Sequence, residues 1–184
     1  MNDLLNTDLC ETFAVRFIRE EDAVQMIELQ MRLASETDFL KRALDEVEID
    51  AEKQRDMIRK NINSDERFLL GAYDNGKLVG YISGSRGAFS RNRHVANFSI
   101  GVLKAYWGKK VARKLMDAFI EWAITVAICR VELEVVEDNS RALAFYSSYG
   151  FKIEGKKEAD HYIKEGKYFN TYVLGKIIDK KIIV

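Results

Sequence analysis

Apolar and polar residues alternate through Ala14-Val15-Arg16-Phe17-Ile18-Arg19, which predicts a first strand, and Glu20-Glu21-Asp22 then supplies the acidic residues suited to a helix start. A helix is expected to run to about Ser35 over the imperfectly periodic Val24, Ile27, Leu29 and Met31. Ser35-Glu36-Thr37-Asp38 breaks that pattern and opens a looser segment suited to cover a substrate cleft. A second, superficial helix is predicted from about Asp50 to Asn61, where Met57 and Ile58 are apolar and most other positions are polar or charged. Two apolar runs, Phe68 to Tyr73 and Leu78 to Ser83, flank Asp74-Asn75-Gly76-Lys77, and Asn-Gly is the favoured chemistry of a tight hairpin.

The second half of the chain alternates strands and helices. His94 to Val102 reads as a strand, and Val111, Leu115, Phe119, Trp122 and Val126 recur at helical spacing. Val131, Leu133 and Val135 alternate with Glu132 and Glu134, a strand with one apolar and one wetter face. A helix from Arg141 to Tyr149 closes at Gly150, suited to a left-handed cap, and leads into Phe151-Lys152-Ile153. A final strand spans about Tyr168 to Ile177. This order predicts an α/β (α+β) fold: one domain over residues 1–184, with a mixed sheet and helices on both faces.

Composition narrows the function. Lys and Arg total 29, as do Asp and Glu, so the general electrostatic footprint of a nucleic-acid binder is missing and any basic patch must be local. Cys10 and Cys129 lie far apart without metal-ligand spacing and read as reduced structural residues. Asp3 and Asp8 occupy the N-terminal stretch, and no apolar run reaches membrane-spanning length, so the expected location is cytoplasmic with no membrane partner.

The local basic patch lies in Trp107-Gly108-Lys109-Lys110-Val111-Ala112-Arg113-Lys114, a turn between a strand and a helix. A helix N-terminus offers unpaired N–H groups and a positive dipole end, so cations gathered there point to an anionic ligand. The Gly-x-x-x-x-Gly-Lys-Ser/Thr pattern of nucleotide triphosphatases is absent, as is Gly-x-Gly-x-x-Gly.

Downstream stands Val135-Val136-Glu137-Asp138-Asn139-Ser140-Arg141-Ala142-Leu143-Ala144-Phe145-Tyr146, followed by Gly150-Phe151. An apolar strand, then Asn-x-x-Ala-x-x-x-Tyr, then Gly-Phe, about thirty residues after a Gly/Ala turn, resembles the GNAT superfamily of acetyl-CoA-dependent N-acyltransferases. About Ala14 to Ile177 fits that plan, and Gly166-Lys167-Tyr168 resembles the closing strand of a small-molecule or peptide amine subgroup.

The resemblance implies a mostly antiparallel sheet splayed between the strands at Ile100-Gly101-Val102 and Val131 to Val135, with the pantetheine arm of acetyl-CoA in the opening. It implies that the Val102 N–H polarises the thioester carbonyl, and that Trp107, Gly108, Lys109, Lys110, Val111, Ala112 and Arg113 form the pyrophosphate cradle. Asn139 and Ala142 would contact the cofactor, and Tyr146 would protonate the leaving thiolate. Trp107 stands where the family has Gln or Arg, Lys110 where it has glycine, and Asn97 where it often has a glutamate base. Glu134, nearer the cofactor turn than Glu132, is then the expected base acting through a water, with His94 and His161 as alternatives. Ser83, Arg86, Tyr172 and Glu36 to Leu40 are expected at the acceptor pocket. The implied activity is acetyl transfer to a primary amine without a metal. A non-catalytic CoA-binding module is the alternative, and the open sheet edge suits a homodimer.

Overall fold

The computed structural model describes residues 13–163 and 166–178; Asp3, Asp8 and Cys10 lie outside them. Seven strands make one sheet: β1 (Ala14–Phe17), β2 (Arg67–Asp74), β3 (Lys77–Arg86), β4 (Val95–Val102), β5 (Arg130–Val136), β6 (Lys152–Tyr162) and β7 (Tyr168–Ile177). Their order is β1-β2-β3-β4-β5-β7-β6, and every neighbouring pair is antiparallel except β4 with β5. The helices are α1 (Ala23–Glu36), α2 (Ala51–Ile62), α3 (Val111–Thr125) and α4 (Ser140–Ser148). Asn75 and Gly76 both take positive φ, as the tight β2–β3 turn requires.

The two faces of the sheet are distinguished by what its small residues leave room for. A Cβ on Gly84 would collide with the Phe119 ring of α3, whereas one on Gly101 would meet Leu33 of α1 at 2.7 Å. Helices α1 and α2 therefore cover one face, and α3 covers the other. Phe68, Phe98, Phe119, Tyr146 and Phe151 form a chain of aromatic contacts on the α3 side, with ring centroids 4.8–6.0 Å apart.

One buried polar cluster ties the start of α1 to the sheet. Asp22, 2% exposed, accepts two hydrogen bonds from Arg16 at 2.7 and 2.8 Å, one from the Arg19 N–H at 2.8 Å and one from the Tyr73 hydroxyl at 3.0 Å. Despite burial, these donors hold its carboxyl below the usual range.

Two expectations need correction. Helix α2 is not merely superficial: Gln54 and Ile58, four residues apart on one side, are buried, while Asp50 caps its N-terminus by accepting from Glu52 and Lys53 N–H groups. The sequence Phe151-Lys152-Ile153 opens not a short segment but the eleven-residue β6. This strand is the outer edge of the sheet and is solvated on both faces, so it shows no apolar alternation. Lysines, acids and a register shift between Lys157 and His161 blunt that edge against further pairing.

Candidate active site

Strands β4 and β5 pair only through Val95↔Arg130, Ala96↔Val131 and Asn97↔Glu132, then diverge. On its other edge β4 stays paired with β3 as far as Gly80↔Val102. Backbone polar groups alternate in direction along a strand. Because the Leu103 N–H donates to Val79 O and Val95 O accepts from Gly87, odd-numbered β4 residues face β3. The N–H and C=O groups of Phe98, Ile100 and Val102 consequently face the opening. On β5, the Ile178 N–H to Cys129 O and Glu137 N–H to Asn170 O bonds direct odd residues toward β7, so Glu134 and Val136 turn backbone groups into the same gap. Gly101 differs from its two neighbours: its backbone faces β3, and its missing side chain admits α1.

At the wide end of the gap, a short 3-10 turn and Trp107-Gly108-Lys109-Lys110 lead into α3. The first bond of the helix is Lys114 N–H to Lys110 O at 3.1 Å. The N–H groups of Val111, Ala112 and Arg113 have no partner among the described residues, and no side chain caps this end. Lys109, Lys110 and Arg113 have no carboxylate partner among the described residues, although Lys109 lies over the Tyr106 ring at 5.0 Å and Arg113 over Tyr149 at 5.8 Å. This donor set fits a diphosphate.

The two departures from the expected loop each have a structural answer. Lys110 takes φ 64°, the left-handed conformation for which glycine is suited, and its side chain is exposed at the helix end. Trp107 donates its indole N–H to Val102 O at 2.7 Å, while the Arg141 guanidinium sits 4.2 Å above its ring. An indole thus links the end of β4 to the start of α4 across the mouth of the gap. It occupies the Val102 carbonyl and leaves the Val102 N–H.

Asn139 caps α4, its Oδ1 accepting from the Ala142 N–H at 3.1 Å, so Ala142's N–H is committed to the cap and Asn139 keeps only its amide NH₂. Tyr146, one turn after Ala142, is 6% exposed and packs edge-on against Phe98 at 5.9 Å and Phe151 at 5.8 Å. Its hydroxyl has no hydrogen-bond partner among the described residues. Burial pushes the phenol well above its ordinary pKa, so it keeps its proton throughout the physiological range.

The opposite face of the gap is ionic. Glu134 shares a face with Glu132, Asn97, Ser99, Tyr81 and Ser83, the α1 side, as the registers require. Its carboxylate bonds Lys41 at 2.8 Å and also Lys157 of β6, and the two ammonium groups hold it below the usual carboxylate range. Glu132 instead pairs with Arg130. The loop carrying Lys41 is fastened again where His161 Nε2 lies 2.7 Å from Asp38 O. His94 stands at the closed end of the β4–β5 pair, where its carbonyl accepts from Cys129 and Arg130, away from the opening. Of the residues expected at the acceptor pocket, Ser83 shares the face of Glu134, whereas Arg86 and Tyr172, in register with Ala96 and Val135, lie on the α3 side.

Sequence reasoning missed Arg141, Lys41 and Lys157. Lys41 lies 93 positions from Glu134, and no local pattern announces that pairing; Arg141, two residues past Asn139, was legible only as the first turn of a helix.

The model of the acetyltransferase (GNAT) family matches residues 26–151. The L-amino acid N-acetyltransferase AaaT of Escherichia coli is 34% identical over 111 residues, which cover 59% of this chain and 67% of that protein. The N-alpha-acetyltransferase RimI of Mycobacterium tuberculosis is 34% identical over 96 residues, covering 52% and 59%. A GNAT-family acetyltransferase structure from Streptococcus pneumoniae superposes with a TM-score of 0.85 at 31% identity, covering 90% of this chain and 99% of that one. A putative acetyltransferase from Salmonella typhimurium, solved with its cofactor acetyl-CoA, shares the fold with a TM-score of 0.81 at 18% identity, covering 94% and 98%. A splayed parallel pair, an uncapped basic helix end beside it and a matched family model over most of the fold agree: this chain belongs to the GNAT family of acetyl-CoA-dependent N-acetyltransferases.

Proposed function

We propose that this protein transfers acetyl from acetyl-CoA to a primary amine of a small molecule or peptide, the amine attacking directly while both substrates are bound. The observation that carries the reading is the open edge of β4, which presents backbone groups unpaired among the described residues and runs into three amides at the start of α3 that likewise have no partner there. Acetyl-CoA supplies the activated acyl group and a thiolate leaving group. The Val111, Ala112 and Arg113 amides, with Lys109, Lys110 and Arg113 side chains, hold its diphosphate. Backbone groups of Phe98 and Ile100, together with the Asn139 amide, hold the pantetheine arm. The Val102 N–H donates to the acyl oxygen as it gains charge.

Tyr146 donates its proton to the departing sulfur. The burial that makes its phenol a weaker acid also disfavours a bare thiolate beside it, so proton and leaving group remain matched. Glu134 takes the proton of the attacking amine through a water. With both lysines in place it is a weak base, and drawing either one away raises its proton affinity. The named substrates of AaaT and the N-alpha activity of RimI are both consistent with an α-amine acceptor.

Thermal melting with acetyl-CoA tests the cofactor half of the reading, because a ligand that binds only the folded state raises its stability. Free-thiol release across polyamines, amino acids, aminoglycosides and peptide N-termini tests the transfer. No stabilisation at saturating acetyl-CoA overturns both. Stabilisation without thiol release from any amine favours a non-catalytic CoA-binding module.

A further inference from the structure

The Lys41–Glu134–Lys157 bridge lies on the acceptor side of the gap and is used by neither the diphosphate cradle nor the thiolate acid. Glu134 belongs to β5, Lys157 to the edge strand β6 and Lys41 to the loop after α1. Three separate elements thus bring two cations and one anion together beside Asn97 and Ser99, both of which are exposed. The lysine side chains are 77% and 44% exposed, whereas that of Glu134 is 27% exposed, so the carboxylate forms the floor and the ammonium groups its rim. Arg42 adds a further cation near Tyr81, where its charge acts on the phenol.

Resting on the acetyl-transfer reading above, we infer that the acceptor is a zwitterion, a free α-amino acid, whose ammonium replaces one lysine on Glu134 while its carboxylate engages the displaced Lys41 or Lys157. The exchange leaves no charge of the cluster unpaired: one lysine–carboxylate pair opens, and one ammonium–carboxylate and one lysine–carboxylate pair form. A polyamine or aminoglycoside brings only cations into a cluster already carrying net positive charge, and like charges held close oppose binding. A peptide N-terminus or an amino-acid amide has the ammonium but leaves the displaced lysine without an anion.

The experiment compares each of several amino acids with its own carboxamide, using the full chain, saturating acetyl-CoA and free-thiol release. The acids are expected to exceed their amides at least tenfold in kcat/KM, chiefly through KM, and polyamines to be poorer than either. Lys157→Met and Lys41→Met should each raise KM for the acid and shrink the acid-to-amide ratio, with melting temperature and acetyl-CoA binding retained because both side chains are at the surface. An amide or polyamine that equals or beats the acid overturns the inference, as does a ratio unchanged in both variants.

Calorimetry of the CoA-saturated protein with the same acid and amide pairs provides a reading independent of turnover. Tenfold tighter binding of the acid supports the zwitterion, and equal or weaker binding overturns it. Absence of thiol release with every amine would sink the transfer reading, and the calorimetric comparison would still decide the acceptor chemistry.

Discussion

The two sides of the β4–β5 opening are built from different materials. On the cofactor side the contacts come from backbone groups, helix ends and aromatic packing: Phe98, Ile100 and Val102 on one strand, the uncapped start of α3, and Tyr146 wedged against Phe98 and Phe151. On the acceptor side they come from charged side chains reaching across long sequence distances, Lys41 and Lys157 to Glu134 and His161 to the Asp38 carbonyl. Backbone geometry is indifferent to most substitutions, whereas a salt bridge is lost with one residue. The cofactor side is therefore suited to hold a constant ligand, and the acceptor side to be retuned.

That contrast predicts where single changes hurt most. Tyr146→Phe removes a proton donor while keeping the ring that fills the aromatic chain, so kcat should fall by about 100-fold to 1,000-fold, the range of a lost general acid. KM for acetyl-CoA should change by less than about threefold, because the diphosphate contacts are elsewhere. Turnover that survives unchanged across pH would remove Tyr146 from the chemistry and leave the cofactor side as a binding surface only.

The α1 side contains an ionic cluster of its own that is buried rather than exposed. Asp22→Asn should cost about 1–3 kcal/mol, because the buried carboxylate gives up its charge-assisted bonds from Arg16 and the Arg19 N–H, while the part-exposed Arg16 guanidinium recovers some hydration. The sign with pH follows from the depressed carboxyl: its stabilisation is complete above the unfolded-state value near 3.8 and disappears as pH falls through the lower folded value. Denaturant melts between pH 6 and pH 3 should show the wild type losing stability that the variant never had. Parallel pH profiles would show that Asp22 does not carry the acid sensitivity. By contrast, the exposed Lys41–Glu134 pair should contribute less than about 1 kcal/mol to stability.

Lys110 tests how far the cofactor side tolerates departures. Its left-handed backbone costs about 1–2 kcal/mol that glycine would avoid, so Lys110→Gly should raise the melting temperature by a few degrees. The same change removes a cation from the cradle, and KM for acetyl-CoA should rise severalfold, more at low ionic strength than at high. A variant that binds acetyl-CoA more tightly would mean that the lysine crowds the diphosphate.

The difference between the two sides also explains what the sequence disclosed. The β2–β3 hairpin, the stripe of α3 and the Asn139 cap are local patterns, with Asn75-Gly76 or a cap three residues from its N–H, and they can be read within a few positions. The opening beside Ile100 and Val102 was legible only through resemblance, because a strand that leaves its neighbour looks the same in sequence as one that stays. Nothing local distinguishes Lys157 from the charged run around it, since β6 is wet on both faces and its register shifts before His161. Likewise Tyr172 and Ser83 both sit in strands, and only the register separates them onto opposite faces.

The smallest effect is a shift in pH rather than a loss. Glu134 is held ionised chiefly by Lys157 and also by Lys41, while Asp160 acts on Lys157 from further along the same strand. Removing a cation that favours the ionised form raises a carboxyl's pKa, so in Lys157→Met the acidic limb of kcat/KM should move to higher pH than in the wild type. At neutral pH the two forms would differ only through acceptor binding, because Glu134 stays ionised in both. The limb must be followed with an amino amide as well as an amino acid, since the acid carries its own carboxylate. A limb that coincides in the two proteins with both acceptors would mean that Glu134 does not take the proton, leaving it the role of an ammonium anchor on the acceptor side.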